Sequence, residues 1–256
     1  MRNKTVLTAV LAGSLAALLG AGSAGSGLQP GVITGLALDA RGKPIAGALV
    51  WVRPALTTGL VTAHTDETGR YTAKVHPNLP YKVSAWAQPT YRGKRYCLRL
   101  GHDKINDYDT VAPTNGAVRD FRWKLTGEIG DFSGRFFGGE VRIFRVFDGD
   151  NYVPTDAKLE FRLEPLGTLV DGSQGKTLVI PVDSSKTSFL EDIPVGDYKV
   201  TVVQLEPGGG RLPVKVGLTD REVGSEATLE FTSAAGCGGN GANGTERVFL
   251  YIAKAQ

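Results

Sequence analysis

Tyr81-Lys82-Val83-Ser84-Ala85-Trp86-Ala87 is the stretch on which the fold turns. Tyr81, Val83 and Ala85 fall on one side of an extended chain and Lys82, Ser84 and Trp86 on the other, because successive strand side chains point to opposite faces. The same period of two recurs at Phe121-Arg122-Trp123-Lys124-Leu125 and at Lys158-Leu159-Glu160-Phe161-Arg162-Leu163. After residue 28 no apolar stripe of helical period runs for three turns, so an all-β protein is expected.

Working outward, short strands are expected at residues 32–39, 47–53, 60–65, 70–75, 81–87, 94–100 and 118–125. Turn signals separate them, among them Ala40-Arg41-Gly42-Lys43-Pro44 and Asp66-Glu67-Thr68-Gly69. Many short strands at such spacing within about 100 residues are the signature of a β-sandwich. A second series is expected at 141–147, 158–163, 177–182, 188–190, 198–205, 212–217, 228–231 and 248–252. A weak repeat links the halves: Leu38-Asp39, Pro44 and the 48–52 strand parallel Phe147-Asp148, Pro154 and the 157–161 strand. The expected organisation is a first sandwich over 28–125, a linker over 126–139 and a second sandwich over 140–256. Gly127, Gly130, Gly134, Gly138 and Gly139 suit a linker, but Phe132, Phe136 and Phe137 should pack it against one of the domains.

Residues 1–24 have the layout of a cleavable secretory leader: Arg2 and Lys4, an apolar run from Val6 to Leu19, then Gly22-Ser23-Ala24. That run is 14 residues long, short of the roughly 20 a membrane-spanning helix needs. An exported protein of the periplasm, cell surface or extracellular space is expected, with no transmembrane segment. Cys97 and Cys237 then permit one disulfide in an oxidising compartment. The formal charge is +3, and loss of Arg2 and Lys4 leaves +1, which gives no reason to expect nucleic acid as a partner. The halves differ: residues 28–125 hold 14 Lys or Arg against 7 Asp or Glu, and residues 126–256 hold 13 against 19. Such asymmetry points either to two differently employed surfaces or to a basic first domain docked on an acidic second one.

Residues 31–85 carry a further pattern: Gly35 and Asp39, then Gly42-Lys43-Pro44-Ile45-Ala46-Gly47-Ala48, then Thr65-Asp66-Glu67-Thr68-Gly69-Arg70-Tyr71 and Tyr81-Lys82-Val83. This resembles the carboxypeptidase regulatory-like domain, a seven-stranded sandwich of the prealbumin type, over most of 31–125; the second half is similar only loosely. The resemblance implies two tandem Ig-like or prealbumin-like Greek-key sandwiches. It also implies a non-catalytic accessory, adhesive or polymer-binding role, although a fold does not carry a function by itself.

Reactive side chains are sparse. His64, His76 and His102 show no helical pairing and read as surface or turn residues, and no H-E-x-x-H or G-x-S-x-G string occurs. Asp148-Gly149-Asp150-Asn151 and Asp103, Asp107 and Asp109 offer oxygen ligands for calcium, yet lack the spaced acidic loop with its glutamate. No metal or cofactor is expected, and an enzyme is not; the alternative is a small prealbumin-type hydrolase with an unrecognised site.

The strongest positive signal is Tyr91-Arg92-Gly93-Lys94-Arg95-Tyr96-Cys97-Leu98-Arg99. As a strand it turns Tyr96, Leu98 and Leu100 to the core and Arg95, Cys97 and Arg99 outward. With Trp86 on the polar side of its own strand, the candidate binding residues are Trp86, Tyr91, Arg92, Lys94, Arg95 and Arg99. Guanidinium groups beside aromatics suit an anionic polymer such as a phosphorylated or uronic glycan, or lipid headgroups. The other role expected is a structural module of the envelope whose aromatic linker and charged halves meet other envelope proteins. The competing reading is that these cations bond the acidic second half, with Cys97 reaching Cys237 across the interface.

Overall fold

A computed structural model of the chain describes residues 28–255 except 148, 150, 151 and 239–242. Residues 1–24, with the expected leader, and Asp148, Asp150 and Asn151 of one acidic loop lie outside the described residues. The first half supplies β1 (Val32–Leu38), β2 (Leu49–Pro54), β3 (Val61–His64), β4 (Arg70–Lys74), β5 (Tyr81–Ala87), β6 (Thr90–Tyr91), β7 (Lys94–Arg95), β8 (Leu98–Arg99), β9 (Ala117–Val118) and β10 (Phe121–Arg122). One sheet has the order β10-β1-β4 with β9 also on β1, and the other runs β3-β2-β5-β8. Ile33, Ala37, Tyr71 and Ala73 from the first meet Val50, Val52, Val83 and Ala85 from the second in a single core. This half is a β-sandwich whose inward residues are those the alternation selects.

The second half supplies β11 (Gly139–Arg145), β12 (Lys158–Pro165), β13 (Leu178–Asp183), β14 (Phe189–Ile193), β15 (Asp197–Leu205), β16 (Arg211–Gly217), β17 (Val223–Gly224), β18 (Ala227–Glu230) and β19 (Val248–Lys254). They form one hydrogen-bonded sheet, ordered β13-β12-β15-β16-β19-β11-β14, with β18 on β15 and β17 on β16. The sheet passes from one layer to the other along β16: Arg211 to Val214 pair with β15, and Val214 to Gly217 pair with β19. Leu159, Phe161 and Val200 from one layer thereby meet Val141, Ile143 and Leu250 from the other in a second core. The short 3-10 turn Ile105–Tyr108 is the one helical element among the described residues, and none there is long and apolar enough to cross a membrane.

Two expected strands break. Residues 94–100 divide into β7 and β8, because Tyr96 and Leu98 enter the second core whereas Leu100 enters the first. Residues 118–125 shrink to β9 and β10, and Trp123 packs between the two cores. The connecting stretch after Leu125 is packed rather than loose. Ile129 and Phe137 are buried with Tyr108 in a small third cluster. The Asp192 carboxylate accepts the backbone N–H of Gly127 at 2.8 Å and of Gly138 at 3.1 Å, pinning both ends of the stretch to β14.

Candidate functional site

The basic stretch divides between two tasks. Its first part is a two-residue hairpin in which Tyr91 faces Lys94. Arg92 and Gly93 both have positive φ, 47° and 75°, the geometry of the turn that matches the twist of a tight hairpin. The hairpin is driven into the second half. Tyr91 and Tyr96 are buried there, 6.1 Å apart and edge to face. The Tyr91 hydroxyl donates to the Thr168 carbonyl at 2.8 Å and the Tyr96 hydroxyl to the Phe231 carbonyl at 2.7 Å. At the tip, Arg92 pairs with Asp197 at 2.8 Å, and Lys94 approaches Glu230 at 3.8 Å. Burial raises the pKa of the Asp197 carboxyl, and Arg92 only partly offsets that. Cys97 and Cys237 are bonded, with Cα atoms 5.1 Å apart. Of the expected binding residues, Tyr91, Arg92 and Lys94 therefore face the second half, as the docking reading requires.

Trp86, Arg99 and Arg95 remain on the outer side. In the β3-β2-β5-β8 sheet Arg53 stands beside Lys82 and Trp51 beside Ser84, while Arg99 stands beside Trp86. Trp86 does project to the polar side, as the alternation requires. It is nevertheless only 3% exposed, because Trp51 lies 4.5 Å away and the Arg99 guanidinium covers its ring at 5.2 Å. Trp51 is half-buried, with the Arg53 guanidinium 4.4 Å from its ring centroid. Each such contact is worth about 0.5–1 kcal/mol where water has access. Arg95 is exposed and donates to Gln88, whose amide reaches the Cys237 sulfur.

Trp86 and Arg99, but not Arg95, line an open cleft of about 500 Å³, within the roughly 300–1,000 Å³ typical of small-molecule sites. Its floor is Trp51, Arg53, Lys82, Ser84, Trp86 and Arg99; Ile129, Asp131 and Phe132 of the connecting stretch form one wall, and Gly238 closes the other. The disulfide brings that second wall in. The residue after Cys237 lies so close that a Cβ on Gly238 would sit 2.3 Å from the Trp51 ring. Phe132 is 53% exposed, so the aromatic expected to pack the linker down instead stands at the mouth.

Asp131 holds the floor to the wall. Its carboxylate accepts from Lys82 at 2.9 Å and from Arg99 at 3.0 Å. Burial works to raise its pKa, but Arg99 and Lys82 outweigh that and hold the carboxyl below its ordinary 3.8. A group with a lowered folded-state pKa contributes stability that is complete above the unfolded value and is lost as pH falls through the folded value. The stability difference between the parent and Asp131→Asn is thus expected to stay constant above about pH 5 and to shrink as acid is taken below 3.8. Urea melts along a pH series read it directly; a difference unchanged through pH 3 would mean the two cations do not hold this carboxylate.

The other candidates do not converge. His64 and His76 are exposed. His102, expected at a surface or turn, is buried beside Phe121 and Tyr108, and burial lowers its pKa. Its Nδ1 lies 2.7 Å from the Asp120 carbonyl. Asp103 pairs with Arg122, and Asp107 with Arg119. Among the described residues no three His, Cys, Asp or Glu side chains gather as metal ligands. Sequence reasoning missed Trp51, Arg53, Lys82 and Asp131. Trp51 and Arg53 carried a usable signal, since they share the outward parity of β2.

No protein-family model matches the chain, and no curated protein matches it. Solved structures overlap it weakly. The Bacillus anthracis TIE protein does so with 14% identity and a TM-score of 0.36, over 88% of this chain and 34% of that one. The shaft pilin spaA of Lactobacillus rhamnosus GG overlaps with 10% identity and a TM-score of 0.25, over 88% of this chain and 98% of the pilin. A bacterial adhesin from Mobiluncus mulieris, which contains intramolecular disulfide, isopeptide and ester bond cross-links, overlaps with 12% identity and a TM-score of 0.25, over 82% of this chain and 85% of the adhesin. Overlaps of this size leave the chemistry of the chain to its own residues.

Proposed function

We propose that this is an exported, non-catalytic binding protein of the cell envelope or surface that holds an anionic glycan on the outer face of its first half. In this reading the first half is a carboxypeptidase regulatory-like module, and the second is a related sandwich that braces it. The observation that carries the reading is the row of cations over aromatics: Arg53 over Trp51 and Arg99 over Trp86, beside Lys82 and opening on a cleft. Three cations against the single carboxylate of Asp131 leave the floor positive. Arg99 is held by Asp131, whereas the Arg53 guanidinium, resting on its ring, keeps its forked donors for carboxylate, sulfate or phosphate. Arg95, exposed beyond Gln88, extends the track past the disulfide.

Retention on an immobilised acidic polysaccharide is the test. The parent is expected to bind and to elute with moderate salt, since exposed charge pairs are screened within about 8 Å at physiological ionic strength. An Arg53→Glu/Arg95→Glu variant, which touches neither core, is expected to flow through. Equal retention of that variant, or equal retention on a neutral matrix, removes the reading.

A further inference from the structure

We propose that the Trp51 cleft is a subsite for one acidic sugar unit, a hexuronate whose apolar ring face stacks on Trp51 and whose carboxylate is taken by Arg53. This rests on the glycan-binding reading and narrows it to a ligand class and a place.

Three observations select the ligand. First, the cations of the floor are not equivalent. Lys82 and Arg99 share Asp131, whereas Arg53 pairs with no carboxylate among the described residues and rests on the Trp51 ring. Arg53 is exposed and sits at the end of β2, so its guanidinium can leave the ring for an incoming anion without disturbing packing. A ligand offering both a flat apolar face and an acid group replaces the cation–ring contact with a stacked ring and an ion pair. A simple phosphate or sulfate has no such face.

Second, the cleft carries the mixed polar lining that a polyhydroxylated ring needs. Lys82 and the Ser84 hydroxyl donate, and the Ser84 hydroxyl and the Asp131 carboxylate accept, all around Trp51 and Phe132. Gly238 presses on the edge of Trp51 without a side chain. Trp86 lies against Trp51 on the sheet side, which fixes the indole in place.

Third, the floor disfavours a peptide. Extended peptides are captured chiefly through main-chain hydrogen bonds at a free sheet edge. Of the three floor strands, β2 lies between β3 and β5 and β5 between β2 and β8, and on the outermost, β8, the Arg99 N–H is already given to the Asn243 carbonyl at 3.0 Å. The β2–β5 ladder runs unbroken from Leu49–Trp86 to Pro54–Tyr81, so the floor meets a ligand chiefly through side chains.

The experiment uses the full disulfide-bonded chain, a galacturonate tetramer and the same tetramer fully methyl-esterified, followed by tryptophan fluorescence and titration calorimetry. The acid tetramer is expected to bind, and esterification to weaken it about tenfold, since it removes the charge and keeps the ring. Arg53→Ala should reduce that preference for the acid to about twofold and leave the weak ester binding in place. Trp51→Ala should weaken both forms about tenfold, and Trp51→Phe, which keeps an aromatic in the same packing, should fall between. Circular dichroism and the thermal melt of each variant establish that it is folded. Parent-like binding by folded Trp51 variants, or equal affinity for acid and ester, overturns the proposal. If the polysaccharide column still retains the protein while the tetramer neither binds nor changes fluorescence, the subsite fails and the glycan reading stands. If the tetramer binds in the expected order while the column retains nothing, the polymer reading fails and the subsite stands.

Discussion

The Cys97→Ser/Cys237→Ser variant is expected to be less stable than the parent by about 3–4 kcal/mol and to melt about 10 °C lower. The bond closes a loop with a sequence separation of 140. In the chain-entropy account a closure of about that length removes some 4–5 kcal/mol of freedom from the unfolded chain, and measured values commonly fall below that bound. For a chain of this size each kcal/mol moves the midpoint by about 2–4 °C. The loss should also reach the cleft. Beyond Cys237 the chain returns across β8, where the Asn243 carbonyl accepts the Arg99 N–H at 3.0 Å. Calorimetry of the parent with and without reductant gives the same comparison with no substitution, and a midpoint that ignores reductant would show that the bond does not hold the halves.

Tyr96→Ala is expected to cost about 3–5 kcal/mol, as large aromatic truncations in a well-packed core do. Tyr96 belongs to the first half in sequence, yet it is 3% exposed among residues of the second half. Removing its ring leaves a cavity between β8 and the Phe231 region that neither half can close alone. Tyr96→Phe isolates the hydrogen bond. It leaves the Phe231 carbonyl without its 2.7 Å donor and should cost about 1–2 kcal/mol. Urea denaturation followed by fluorescence distinguishes the two. A cost below 1 kcal/mol for the alanine variant would mean the hairpin is not a wedge between the cores.

Much of this architecture was legible because a strand with one wet face writes itself as alternation. β5 was read with its final boundaries, and β1, β4, β12 and β15 to within a residue or two at either end. The faces followed: Val83 and Ala85 are buried, whereas Lys82 and Ser84 are not. The candidate site was legible only in part. Trp86 and Arg99 were identified and do line the cleft, but Trp51, Arg53 and Lys82 join them through cross-strand register. Register depends on which strands pair, and no short window of sequence states that. Asp131 arrives from the connecting stretch, which reads as glycine-rich linker until its fold over the sheet is known.

By itself the sequence determined the class of fold, the side of many strands that turns from water and the one pair of cysteines that could bond. It did so because hydrophobic burial acts locally on a chain of period two. Only the tertiary structure decided which core each buried residue enters: Tyr96 and Leu98 go to the second and Leu100, two positions on, to the first. Alternation fixes the direction of a side chain but not its destination, and that destination turns Arg92 to Asp197 and leaves Arg53 facing an open cleft.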